Sequence, residues 1–259
     1  MTTPSLPPTI GSETIAASST PRFVVDVQPS EAAKRLKISL LIPAKNEAGG
    51  LAGLLEQARP FVDEIVVVDG HSTDQTVDIC RAQGVPVILD DGRGKGAAIR
   101  EGLRHVSGDV VVLIDADGSH DLSDIPRLVA PVARGEAEMV IGSRIRGGSD
   151  ELHGDFTHFL RNVGGGLITM AINYRWHVRL TDVLNGFRAI RTSSAHHLRL
   201  RAHDFDIEQH MVVECLKKRF TILEIPSHES IRQWGHSKLP TFRKATLFFW
   251  RLFLDLVFP

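Results

Sequence analysis

Apolar runs too short for ordinary helices and rich in β-branched residues recur through the first half of the chain, at residues 37–43, 64–69, 85–90, 109–115 and 137–142. Runs of this kind predict strands buried on both faces, as in a parallel sheet. Pro86 marks the third as an edge strand. Between the runs, apolar residues fall at helical spacing: through Leu51, Leu54 and Leu55, then over 73–82, 97–105 and 122–133. Ser72-x-x-Gln75 has the spacing of a capping box at the start of the second helix. Strand and helix alternating in this way predict an α/β fold, a mostly parallel central sheet with right-handed crossovers and flanking helices. Further on, 155–176 reads as a helix carrying Gly164-Gly165-Gly166. Each glycine weakens a helix by about 1 kcal/mol relative to alanine, so the run predicts a break or a close approach to something. Residues 185–190 read as a turn into a short strand, 206–217 as a helix, 221–225 as a strand and 241–258 as a last, very apolar helix. No internal repeat is present.

A chain of 259 residues with 42% hydrophobic and 24% charged residues is long enough to bury one large core or two small ones. Its net charge of −1 argues against a general nucleic-acid binder, so any positive field must be local. Cys80 and Cys215 lie in apolar helical contexts without metal or redox spacing, which predicts two reduced core thiols and a cytosolic protein. The opening 21 residues are rich in Ser, Thr and Pro and lack a basic region followed by an apolar core, so residues 1–35 are expected to form a disordered tail.

Chemistry concentrates where the strands stop. The run at 109–115 ends in Asp115-Ala116-Asp117, two carboxylates flanking one small residue. On a chain still close to extended both would leave on the same side, within reach of one cation, at a strand's carboxyl end where open α/β sheets put their ligands. A plain turn is the competing reading, since Asp, Gly, Ser and His all form loops. Gly92-x-Gly94-x-x-Ala97 formally fits a dinucleotide fingerprint. It follows the third strand, however, where the first βα turn is required, and the acids after it are a pair. Nor is it a P-loop, because Gly96 follows Lys95 where Ser or Thr is needed. The glycines either let backbone and Lys95 approach a phosphate or base, or form a tight turn.

Four signatures fall in order after successive strands: Pro43-Ala44-Lys45-Asn46-Glu47, Asp69-Gly70-His71-Ser72-Thr73-Asp74, Gly94-Lys95-Gly96-Ala97-Ala98 and Asp115-Ala116-Asp117. In combination they resemble the family 2 glycosyltransferases of GT-A fold, in particular the polyprenyl- and dolichyl-phosphate sugar synthases, over about residues 37–238. The resemblance implies that Pro43, Ala44, Asn46, Glu47 and Asp69 line the base and ribose of a nucleotide-diphosphate sugar, with Lys95 and Ala116 also on the donor. Asp115 and Asp117 would hold Mg²⁺ or Mn²⁺ on its diphosphate. Relatives making dolichyl-phosphate sugars often continue with Leu-Gln-His; this chain has Gly118-Ser119-His120, which gives position 119 no assigned ligand role. Independently, hard cations held by one or two carboxylates plus phosphates are how proteins usually compensate a departing diphosphate.

Arginine suits the same field, being a planar donor for phosphate. Arg144, directly after the fifth strand, is the first candidate, followed by Arg146 and Arg188. Asn185-Gly186-Phe187-Arg188 resembles the family's Ser-Gly-Phe segment beneath donor sugar and acceptor, which implies acceptor contacts at Asn185 and Gly186. For a catalytic base the candidates are Glu208 and Asp182; Asp206 reads at least as well as a helix cap, with Gln209 three residues on. A hydroxyl acceptor must lose a proton as it attacks, whereas a lipid phosphate is already an anion and chiefly needs aiming.

On a helical wheel, Arg243, Lys244, Arg251 and Asp255 of the last segment fall within an arc of roughly 120°, leaving the rest to Phe, Leu, Trp and Val. Its rise of roughly 27 Å falls short of a hydrocarbon layer of ~30 Å, so residues 239–259 read as an interfacial amphipathic helix, with a core or dimer helix as the rival. Arg232, His236, Lys238, Arg243 and Lys244 form a local basic cluster suited to a lipid phosphate, with Arg232 and Lys238 as acceptor candidates. The combined expectation is a metal-dependent, inverting hexosyltransferase of residues 36–238 acting on a polyprenyl phosphate, peripheral on the cytosolic face of a membrane. The alternatives are the same donor chemistry on a soluble hydroxyl such as a phosphoglycerate-type acceptor, and a non-catalytic member that binds nucleotide or membrane.

Overall fold

The computed structural model describes residues 35–150, 156–232, 234 and 241–257, with the side chains of 156–159 and 241–245 outside the description. The expected tail up to residue 34, His236 and Lys238, and the side chains of Arg243 and Lys244 therefore lie outside the described residues.

The described residues form a seven-stranded sheet, β1 (Ile38–Ala44), β2 (Glu64–Asp69), β3 (Val87–Leu89), β4 (Val110–Leu113), β5 (Met139–Ser143), β6 (Arg188–Arg191) and β7 (Ile222–Pro226). Its order is β3-β2-β1-β4-β6-β5-β7. β1 through β4 pair in parallel, with β3 at the edge as Pro86 predicts. β6 enters antiparallel between β4 and β5, and β7 pairs in parallel with β5. The sheet is thus mostly parallel, and the inserted β6 interrupts the uniform succession that apolar runs alone suggest.

Period-two alternation sorts the strand side chains into two cores. Leu41, Val66, Val68, Val111 and Leu113 face one side, where they meet α3 (Lys95–Gly102), α6 (Phe156–Trp176), α8 (Ile207–Lys217) and α9 (Thr241–Val257). Leu40, Ile42, Val67, Val110 and Val112 face the other, against α1 (Ala48–Ala58), α2 (Thr76–Ala82) and α4 (Ile125–Ala133). The short helices α5 (Arg144–Gly147) and α7 (Thr192–His196) follow β5 and β6. Cys80 and Cys215 are free and buried; burial pushes their thiols up to about 11 and about 12.

Three local expectations are corrected. The capping box at Ser72 does not form: α2 begins at Thr76, whose N–H and hydroxyl donate to Asp74 (3.0 and 2.5 Å), while the Ser72 hydroxyl donates to Asp69. The helix at 155–176 is unbroken through its three glycines, and a close approach is found at Gly165 alone, beside Leu184. Asp206 precedes α8 without capping it; its carboxylate accepts from the Asp204 N–H (3.2 Å) and from Arg251 Nε on α9 (2.9 Å).

The charged positions of α9 that are described turn inward. Arg251 meets Asp206, and Asp255 meets His210 Nδ1 at 2.9 Å, both on the α8 side. Phe249, Trp250, Phe253 and Val257 are exposed instead, and α6, packed beside α9, exposes Val163, Leu167, Met170 and Tyr174. No helix among the described residues is long and apolar enough to cross a membrane.

Candidate active site

Strand direction decides which segments meet. β1 to β4 are parallel, so the residues after them share one edge of the sheet. Because β6 runs the other way, it is the segment before it, Asn185-Gly186-Phe187, that arrives at that edge, and β5 and β7 deliver Arg144 and Glu229 there. The loops enclose a cavity of about 710 Å³. This is the carboxyl-end position where open α/β sheets bind ligands.

At its polar floor, Lys95 lies between two carboxylates, with Nζ 2.5 Å from Asp115 and 2.7 Å from Glu208. Gly94, at φ 121°, turns the chain into α3 so that Lys95 is its first residue. Burial alone would lower the Lys95 ammonium, but Asp115 and Glu208 hold it above the ordinary lysine value. Burial opposes ionisation of Asp115 as well, and Lys95 outweighs it, keeping Asp115 below the usual aspartate value. For Glu208 burial prevails and its carboxyl is raised. Asp117 accepts at Oδ1 from the N–H and hydroxyl of Ser119 (3.0 and 2.7 Å) and at Oδ2 faces Arg232 Nη2 at 2.8 Å.

Two carboxylates offer hard oxygen ligands suited to Mg²⁺ or Mn²⁺. Gly186 leaves room in front of them: a β-carbon there would stand 2.9 Å from Asp115 Oδ2. Among the described residues no group of three His, Cys, Asp or Glu side chains is placed to hold a cation. The residues therefore fit a cation completed by phosphate and water, not one caged by protein.

The other donor candidates divide. Pro43, Ala44, Glu47 and Ala116 line the cavity. Asn46 does not: at φ 51° it bridges two loops, donating its N–H to Ser72 Oγ (2.8 Å) and accepting from the Thr73 N–H (2.7 Å). Asp69 also turns away from the cavity, accepting from the N–H and hydroxyl of Ser72 (2.9 and 2.5 Å). Asp90, at the end of the neighbouring strand, lines the wall in its place and accepts from the Gly92 N–H at 2.7 Å. Its signal is an acid closing the 85–90 run, as Asp69 closes 64–69, though the resemblance assigns only Asp69 to the donor.

Arg144 and Asp182 both reach the cavity, as a pair. Arg144 donates from Nε and Nη2 to Asp182 (2.7 and 2.9 Å) and lies 3.5 Å from Glu229 through Nη1. Burial works against both charges, yet each holds the other ionised, with Asp182 below and Arg144 above its usual value. Arg188 is corrected: it is fully buried and spends its guanidinium on the carbonyls of Val183, Asn185 and Glu208, so it braces the loop beneath the site and does not face a donor. Asn185 lines the cavity and donates to the Gly142 carbonyl. Arg146 points to the Glu224 carbonyl (2.7 Å), outside the cavity. Arg232, expected among acceptor contacts, lines the cavity and meets Asp117.

Away from the carboxylates the wall gains the apolar side chains of Leu160, Ile168 and Leu184 and of Phe248 and Phe249 of α9, with Arg161, Asn162 and Thr169 among them. Gly164, Gly165 and Gly166 form part of it; no atom lies within 4 Å of a β-carbon at 164 or 166, and one at 165 would meet Leu184 at 3.2 Å. The glycines keep this arm of the cavity open.

Residues 39–199 match the family model described as glycosyl transferase family 2. Glycosyltransferase AglJ of Haloferax volcanii is 31% identical over 73% of this chain and 62% of its own length. Dolichol-phosphate mannosyltransferase of Pyrococcus furiosus is 29% identical over 79% of this chain and 59% of its own length. The chain thus spans about three fifths of the length of these curated relatives. The crystal structure of glucosyl-3-phosphoglycerate synthase from Mycobacterium tuberculosis with Mn²⁺, UDP-glucose and phosphoglyceric acid superposes with a TM-score of 0.69 at 22% identity, covering 90% of this chain and 86% of that one.

Proposed function

The chain belongs to glycosyl transferase family 2 and has the GT-A fold, and on that premise we propose that it moves a hexose from a nucleotide-diphosphate sugar to a polyprenyl phosphate, docked peripherally on the cytosolic face of a membrane. The observation that carries this reading is the shape of one cavity. It joins a floor of Asp115, Asp117 and Lys95 to an apolar arm of Leu160, Ile168, Leu184, Phe248 and Phe249. A charged end and an apolar end in one space suit an acceptor with a phosphate head and a hydrocarbon chain. The exposed residues beside that arm, Val163, Leu167 and Trp250, offer it an apolar surface.

In this reading Asp115 and Asp117 hold Mg²⁺ or Mn²⁺, which supplies charge to the diphosphate as the sugar leaves. Lys95, fixed by Asp115 and Glu208, adds a rigid positive group to the same end. Arg144, aimed by Asp182, extends that field along the wall. Both candidate bases are engaged by cations, Glu208 by Lys95 and Asp182 by Arg144, which suits an acceptor that needs aiming and no deprotonation. The name of the Pyrococcus relative, a dolichol-phosphate mannosyltransferase, supports the same acceptor class.

The test is to incubate the full chain with radiolabelled UDP-glucose or GDP-mannose, Mn²⁺, and either polyprenyl phosphate in detergent or 3-phosphoglycerate. Label passing into the organic phase is the expected result. Label on phosphoglycerate alone would replace the acceptor assignment, and no transfer from any nucleotide sugar would remove the catalytic one.

A further inference from the structure

Asp117 enters the cavity with one oxygen already spent. Oδ1 receives both donors of Ser119, so Oδ2 is the oxygen left to a ligand, and Arg232 covers it at 2.8 Å. Asp115 differs: Lys95 takes its Oδ1 and is itself gripped by Glu208, while Oδ2 is turned toward the bare backbone of Gly186. Of the two cations on the carboxylates, Lys95 is walled in between two acids, whereas Arg232 is about a quarter exposed.

The segment bearing Arg232 is fastened unevenly. From Ser227 to Ile231 it is stitched down by the backbone: Ser227 N–H to Ser143 O (3.2 Å), Glu229 N–H to Gly148 O (3.1 Å) and Ser230 N–H to Ser119 O (2.8 Å), with Ile231 N–H donating to Asp150 (3.3 Å). Beyond it, Arg232 rests on Asp117, and Trp234 lays its ring over the start of α1, where a β-carbon at Gly50 would overlap the indole. Half of the Trp234 surface remains exposed.

We propose that Arg232 and a divalent cation are alternative occupants of Asp117 Oδ2, so that a cation binds only as Arg232 withdraws and Trp234, on the same strap, lifts from Gly49 and Gly50. Two cations cannot share one carboxylate oxygen without strong repulsion. Lys95 is held by two carboxylates and Arg232 by one, so the exchange falls to Arg232. This inference rests on the reading of Asp115 and Asp117 as the cation's anchors.

The experiment measures cation binding without nucleotide. Mn²⁺ affinity is determined by calorimetry for the full chain, for Arg232→Gln and for Asp117→Asn. Removing the competing guanidinium should tighten Mn²⁺ about tenfold, and Arg232→Lys should restore the weaker value. In a Trp176→Phe/Trp250→Phe background, Mg²⁺ should raise acrylamide quenching of Trp234, while Arg232→Gln should show high quenching before Mg²⁺ and no further change. Binding lost in Asp117→Asn but unmoved or weakened in Arg232→Gln would overturn the exchange alone. Binding indifferent to Asp117→Asn would overturn the cation site itself. Trp234 quenching unmoved by bound Mg²⁺ would overturn the lifting of the strap.

Discussion

Lys95 is the most constrained charge in the cavity, and its two acids carry different duties. Asp115 opens onto Gly186 and the ligand space, whereas Glu208 sits behind on α8 with a raised carboxyl. If the acceptor is a phosphate, Glu208→Gln keeps a hydrogen-bonding oxygen for Lys95 and should leave kcat within about threefold, under 1 kcal/mol. A loss of a hundredfold or more in single-turnover transfer to polyprenyl phosphate would mean that Glu208 removes a proton. The Arg144–Asp182 pair makes a stability prediction. Arg144 lowers the folded-state value of Asp182, so the unfolded chain binds the proton more readily. The pair therefore stabilises in full above the ordinary aspartate value near 3.8, and its contribution is lost as pH falls through the lower folded value. Asp182→Asn should cost about 3 kcal/mol near neutrality, read from urea midpoints, and the gap to the parent should close below pH 3.8. Side-chain direction is also where sequence reasoning reached its limit. Asp69 and Asp90 both close apolar runs, and what separates them is Ser72, whose backbone and hydroxyl draw Asp69 inward. Arg188 looked available for phosphate because nothing in its neighbours' identities announces three carbonyls converging on one guanidinium.

At the scale of elements, α6 shows why a propensity penalty misplaces a break. Its glycines cost helix stability locally, but the helix continues because Ile168 and Ile172 are anchored in the core on the same element. Gly164→Leu puts a side chain where no atom lies within 4 Å and raises helix propensity by nearly 1 kcal/mol. Thermal stability should therefore hold or rise, while KM for polyprenyl phosphate rises and the affinity for nucleotide sugar stays constant. An unchanged KM would remove the apolar arm from the acceptor path. The exposed aromatic row of α9 carries the membrane expectation. Trp250→Asp combined with Phe253→Asp removes two large apolar groups, each worth about 1.5–3 kcal/mol when buried. Co-sedimentation with anionic liposomes should fall more than tenfold, with donor binding intact. The helical wheel groups Arg251 and Asp255 on one arc, but could not say that this side meets protein, since that depends on Asp206 and on His210 of α8.

For the molecule as a whole, the mostly parallel sheet and its edge strand β3 were legible in the buried runs and in Pro86, and each run ends at chemistry. Parallel pairing of β1 to β4 then forces those ends to one edge. The insertion of antiparallel β6 was not legible, since Arg188–Arg191 carries too little periodicity to reveal its direction, yet that reversal is what brings Asn185 and Gly186 over Asp115.

The inward pairs of α9 have a consequence for how the enzyme can be dissected. Arg251 and Asp255 pair with Asp206 and His210, which stand on either side of Glu208 in sequence, and Glu208 in turn holds Lys95. A chain cut before residue 241 would strand two buried groups, Asp206 and His210, beside Glu208 and its partner Lys95. Such a truncation would confound targeting with chemistry, whereas surface substitutions on the far side of the same helix keep them separable.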